Sequence, residues 1–296
     1  MIENENYVLE NAKSSSVKSM YPIQSILWKG TTNFTNHLII ADSREFGRIL
    51  FTEGELQSCS MDEKIYHEYL IHPSLSIYYS LYNNHNLNIL ILGGGEGATT
   101  RELLKYSKHI INKIVWIDID KELVHLSRLY LKYCDETVYN DPRVFIYYED
   151  ANLFLSNCKE KFDIIICDLP DPYLKEDNNN ELYSNTFWSN LKKITKNEHI
   201  ITTHLGPIYP GKKHFNLCKH MLKLLNLNTT HYKLGKVCIP SFMSEWLYLY
   251  FSFTPFYISN ADFYIVLNHI KIIYNSSLFS LFYFFLYIYL VFHKHL

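Results

Sequence analysis

The chain has 296 residues, with 28 Lys and Arg against 30 Asp and Glu, for a formal net charge of -2. That length supports one large domain, or a small one beside a larger one, around a sizeable core. The charge balance argues against a sequence-independent nucleic-acid binder, which needs surplus Lys and Arg to displace counterions. Cys59, Cys134, Cys158, Cys167, Cys218 and Cys238 show neither a C-x-x-C pair nor zinc-type spacing. Free thiols in a reducing compartment are expected, and no metal site.

Residues 1–20 are polar and acidic, without the basic and apolar regions of a secretory signal, so a disordered tail of a cytoplasmic protein is expected. Over 21–60 the stretches QSILWKG, NHLIIAD and FGRILFTEGELQS alternate apolar residues between turn formers. That pattern predicts a small antiparallel β module. At Met61 the texture changes to helical spacing, MDEKIYHEYLIHPSLSIYYSLY, punctuated by Pro73.

After Leu87, apolar runs of strand length alternate with helical stretches. LNILIL precedes ATTRELLKYS, KIVWIDID precedes KELVHLSRLYLKY, RVFIYYED precedes ANLFLSNC, and FDIIICDLPDP and HIITTHLG follow. Strands without polar alternation, each followed by a helix, predict a doubly wound, Rossmann-like α/β domain over 61–256. KEDNNNE at 175–181 reads as a surface loop. Residues 257–296 form a hydrophobic extension. Its uncharged stretch SLFSLFYFFLYIYLVF is shorter than the ~20 residues that span a bilayer as a helix. It reads either as a membrane-contacting tail or as translated AT-rich non-coding sequence.

In doubly wound sheets the ligand sits beyond the carboxyl ends of the strands, where strand order reverses. Here the ends of the first four predicted strands each carry a carboxylate: Glu96 after Gly93, Gly94 and Gly95; then Asp118 and Asp120; then Glu149 and Asp150; then Asp168 and Asp171. GGGEGA fits a dinucleotide turn, with an Asp about 20 residues on for ribose, but the same layout serves adenosine sulfonium ligands. Charge favours the second, because Glu96 stands where a pyrophosphate would lie, and Asp168 and Asp171 make the crevice anionic. The plain alternative is that Asp118 and Asp120 only cap a helix.

Taken in order, WKGTTNF, FGRILFTEGELQS, MDEKIYHEYLIHPSL, LILGGGEGATTREL, WIDID, DPRVFIYYEDA, FDIIICDLPDP, LYSNTFW and IPSFMSEW resemble the polyamine aminopropyltransferases over Pro22 to Phe253. The resemblance implies transfer of an aminopropyl group from decarboxylated S-adenosylmethionine to an amine, releasing methylthioadenosine. This donor is a co-substrate; no cofactor or metal is implied. Decarboxylation leaves only an ammonium on the donor's amino-acid end, which suits an acidic crevice.

By motif, Asp168 corresponds to the general base, and Asp171 would share the amine. Glu96 corresponds to the acid that holds the aminopropyl end. Asp118 corresponds to the ribose acid, Asp150 with Ala151 to the adenine contact, and Gln57 with Gly93, Gly94 and Gly95 to the nucleoside cradle. Tyr66, His67 and Phe242 correspond to amine-binding positions. An amine near pKa 10 and a carboxylate near 4 differ by about six units, roughly 8 kcal/mol, so the neighbouring sulfonium and desolvation must first favour the neutral amine.

Glu96, where spermidine synthases usually have Asp, and Phe242, where they have Tyr, match the thermospermine synthase pattern, whose acceptor is spermidine; putrescine is the next candidate. Thr35, Met61 and His204 depart from the family, Thr35 and His204 standing where Gln is usual. An inactive paralogue acting as a binding subunit, and a methyltransferase, are the rival readings. A homo-oligomer is expected from the family.

Overall fold

The computed structural model describes residues 2–4, 7–10, 18–172, 182–208 and 212–259. KEDNNNE and the uncharged stretch of the C-terminal extension lie outside them. β1 (Ile2–Asn4), β2 (Tyr7–Leu9) and β3 (Met20–Pro22) form a three-stranded sheet. This corrects the expected disordered tail for those residues. Val8 is fully buried, and Glu10 accepts hydrogen bonds from the Leu56 amide at 2.8 Å and the Tyr21 hydroxyl at 3.1 Å, so the segment is pinned by tertiary contacts that no local pattern reports.

β4 (Ser25–Gly30), β5 (Leu38–Ser43), β6 (Gly47–Thr52) and β7 (Glu55–Cys59) follow as a four-stranded antiparallel meander. The stretch FGRILFTEGELQS divides at Glu53 and Gly54, whose positive φ of 53° and 88° close a two-residue hairpin.

α1 (Glu63–Tyr82) runs straight through Pro73. Proline has no N–H to offer the carbonyl four residues earlier, that of Tyr69, and the Tyr250 hydroxyl donates to that carbonyl. The helical stretch that Pro73 punctuates in the sequence is thus one helix.

The remaining elements are β8 (Leu87–Gly93), α2 (Ala98–Leu104), β9 (Ile111–Asp118), α3 (Lys121–Leu126), α4 (Glu136–Asn140), β10 (Val144–Tyr148), α5 (Ala151–Asn157), β11 (Phe162–Asp168), α6 (Asn185–Lys193), β12 (Thr195–Ile208), α7 (Lys212–Leu224), β13 (Tyr232–Ile239) and β14 (Ser244–Phe251). Their seven strands form one sheet in the order β10-β9-β8-β11-β12-β14-β13. Pairing is parallel from β10 to β12, while β14 lies antiparallel between β12 and β13. The doubly wound expectation thus holds for five strands, and the antiparallel edge is a feature it lacked.

Side chains of β8 sort by period two: Ile89 and Ile91 join the core beneath α1 and α2, and Leu90 and Leu92 the core beneath α5, α6 and α7. All four are fully buried, which is why the strand reads as an unbroken apolar run. Strand order reverses between β9-β8 and β8-β11, so the crevice falls beyond Gly93 and Asp168.

Candidate active site

Gly93, Gly94 and Gly97 adopt φ of 84°, 78° and 80°, conformations that disfavour a side chain. A Cβ on Gly93 would lie 2.0 Å from the Asp168 carbonyl oxygen, so β8 and β11 approach at backbone contact. The Gly94 amide donates to that same carbonyl at 3.0 Å, and Trp116 Nε1 donates to the Gly93 carbonyl at 2.8 Å. The turn is held from both neighbouring strands.

Around it lies a cavity of about 610 Å3 lined by Gln57, Tyr66, His67, Gly93, Gly94, Gly95, Glu96, Asp118, Asp150, Ala151, Asp168, Asp171 and Phe242. The sequence-predicted residues therefore come together, joined by Thr35, His204 and Trp246. Met61 is half-exposed. A separate hollow of about 650 Å3 by Arg101, Arg128 and Lys132 holds none of the strand-end carboxylates.

Asp168 ends β11 and accepts from the Tyr66 hydroxyl at 2.9 Å and from Thr99 Oγ1 at 2.5 Å, one on each oxygen. Burial and the Asp168 charge keep the Tyr66 phenol protonated, far above its ordinary range, so it acts as a donor. Asp168 is thereby fixed in position from α1 and from α2.

Glu96 accepts from Ser58 Oγ at 2.8 Å, while its Oε2 is buried and makes no hydrogen bond among the described residues. Burial pushes its carboxyl up to about 7, against the opposing pull of His67 and of the Ser58 hydrogen bond. His67 is held by the Glu63 carbonyl at 2.7 Å and the Glu63 carboxylate at 2.9 Å. Burial alone would lower its pKa, but Glu63, with Asp168 and Glu96 beyond, raises it to about 9. That shift favours the protonated ring at neutral pH. Arg101 closes this network with bonds to both Glu63 oxygens at 2.8 and 2.9 Å.

Asp118 and Asp120 divide the two readings given for them. Asp120 caps α3 through the Leu123 amide at 3.0 Å and also accepts from Thr32 and Thr35, the latter at 2.8 Å. Asp118 caps no helix. It accepts the Asp120 amide at 2.8 Å, and burial raises its carboxyl to about 7. Asp150 caps α5 through Leu153 at 3.0 Å. Asp171 stands beside His204, their Oδ1 and Nδ1 3.3 Å apart, and burial raises its carboxyl above the usual range. Phe242 packs on Trp246 at 4.6 Å between ring centroids, with Tyr66 at 6.4 Å.

Ser58, Thr99 and Tyr133 are polar neighbours that sequence reasoning missed. Thr99 adjoins the glycine turn and Ser58 follows Gln57, so each had a positional signal. Tyr133, 3.2 Å from Ser58 Oγ, had none.

A seven-stranded sheet of this order, with an acidic crevice at its switch point, defines a Rossmann-like protein. Residues 63–260 match the family described as "Spermine/spermidine synthase domain". A polyamine aminopropyltransferase of Pyrobaculum calidifontis is 36% identical over 172 residues, covering 57% of each chain. A thermospermine synthase of Arabidopsis thaliana is 33% identical over 245 residues, covering 80% of this chain and 67% of that one. The fold resembles spermidine synthase of Thermotoga maritima, with a TM-score of 0.71 at 20% identity over 88% of this chain and 83% of that one. The chain belongs to the spermine/spermidine synthase family.

Proposed function

We propose that the protein transfers an aminopropyl group from decarboxylated S-adenosylmethionine to a polyamine, with spermidine as the favoured acceptor and thermospermine as product. The observation that supports this best is the arrangement of Asp168, Asp171 and Glu96 around the glycine turn in one cavity. Asp118 would take the ribose hydroxyls, and Asp150 with Ala151 the adenine edge. Glu96 Oε2, which makes no hydrogen bond among the described residues, would accept from the donor's ammonium.

Asp168, held by Tyr66 and Thr99, would accept a proton as the amine nitrogen attacks the methylene next to sulfur. The C–N bond forms, the C–S bond breaks, and its electron pair leaves on methylthioadenosine. In-line positioning contributes much of the rate. His67, whose pKa Glu63 raises, opposes the upward shift of Glu96 and would help keep it ionised.

Spermidine is favoured because the Phe242–Trp246 wall offers apolar surface and no hydroxyl at the position where a short diamine's far end would be held. Incubation of the purified protein with the donor and each of putrescine, spermidine and spermine tests this. Methylthioadenosine and thermospermine are expected. Release of S-adenosylhomocysteine from S-adenosylmethionine, or no product with any amine, overturns it.

A further inference from the structure

His204 is used by none of these steps, yet it is built into the cavity wall. It lies on β12 where the ladder to β14 shifts register between His204 and Gly206. Gly206 has φ of 78°, and a Cβ there would sit 3.3 Å from Asp171 Oδ2. This bulge brings the carboxylate and the ring together. The residue is only 3% exposed, with the Tyr66 ring at 5.8 Å and the Trp246 ring at 6.0 Å.

Its Nε2 lies 2.7 Å from the Leu169 carbonyl oxygen. A carbonyl only accepts, so Nε2 carries the proton, and in the neutral ring the Nδ1 lone pair is bare. Nδ1 is buried and makes no hydrogen bond among the described residues, although Asp171 Oδ1 is 3.3 Å away. Two acceptors side by side on a cavity wall lack one thing, a donor, and an ammonium supplies it.

We propose that His204 Nδ1 takes the first proton from the acceptor ammonium on binding, and that Asp171 pairs the imidazolium that results. The inference rests on the aminopropyl-transfer reading. It removes the obstacle that an ammonium has no lone pair with which to attack. The ammonium nitrogen gives one proton to Nδ1 and becomes a neutral amine. That amine attacks the sulfonium methylene and passes a second proton to Asp168. One proton returns to the product, a secondary ammonium, and the other leaves to solvent, which balances the reaction. The other titratable groups around the His204–Asp171 pair are Asp168 and Tyr66, Tyr183 before α6, Tyr248 on β14 and Glu55 on β7.

The test is His204→Gln, which keeps a polar side chain and removes the base. At pH 7 kcat/KM for spermidine is expected to fall about tenfold or more, and near pH 10, where much of the amine is already neutral, to lie within about threefold of wild type. Equal loss at both pH values, or none at pH 7, overturns the proposal. A second measurement needs no turnover: 15N NMR of the His204 ring, assigned by its loss in the Gln variant, followed as spermidine is added with methylthioadenosine present. The free ring should carry its proton on Nε2 and become doubly protonated on amine binding. An Nδ1–H tautomer, or a ring unchanged by amine, overturns it. If the wild type makes no methylthioadenosine with any amine, the functional reading falls, while the ring measurement still decides whether His204 takes up the proton.

Discussion

Replacing Ser58 with Ala removes the hydrogen bond that Glu96 accepts at 2.8 Å, and its other oxygen has none to compensate among the described residues. A hydrogen bond to a charged group contributes about 1.5–3 kcal/mol, and one pKa unit corresponds to about 1.4 kcal/mol, so a rise of at least about one unit is expected. Starting from about 7, the carboxyl would then titrate near or above pH 8. If the donor's ammonium binds the ionised form, the ionised fraction falls about eightfold at pH 6.5 and about threefold at pH 7.5, and hardly at all by pH 9. Calorimetric titration of decarboxylated S-adenosylmethionine into wild type and Ser58→Ala at these three pH values measures it. A loss of affinity that is constant across the range would refute the reasoning, since it would mean that Ser58 shapes the cavity without acting through Glu96.

Asp168→Asn should lower turnover by about 100-fold or more while leaving methylthioadenosine affinity within about twofold, because the amide retains an acceptor for Tyr66 but takes no proton; parallel loss of both would make Asp168 structural. Burial raises the Glu96 carboxyl, so its contribution to the free protein's stability is present below the unfolded value of about 4.5 and is lost as pH rises through about 7. Glu96→Gln should therefore stabilise the ligand-free protein by about 3 kcal/mol at pH 8 and hardly at all at pH 4.5, read by thermal or denaturant unfolding. Tyr250→Phe should cost about 0.5–1.5 kcal/mol of stability by removing the hydroxyl that donates to the Tyr69 carbonyl of α1, with kcat near wild type.

The sequence by itself determined the parts whose causes are local. The apolar runs that become β8 and β11 are buried on both faces, Gly93 and Gly94 take backbone angles that side chains disfavour, and a carboxylate after each of β8, β9, β10 and β11 follows from chain order alone. Once strands are parallel and right-handed, their ends converge, so Glu96, Asp118, Asp150 and Asp168 were legible as one site.

Tertiary structure decided what depends on residues far apart in the chain. It made Asp120 a helix cap that also accepts from Thr35, while leaving Asp118 to the cavity. It raised the His67 pKa through Glu63, ordered the first strands through Glu10, and placed a hydroxyl from β14 on α1 beside Pro73. It also set His204 against Asp171 with its protonated nitrogen committed to a backbone carbonyl. Residue type names the groups that can carry charge; burial and the partner across the cavity decide which of them do, and neither is written in local order.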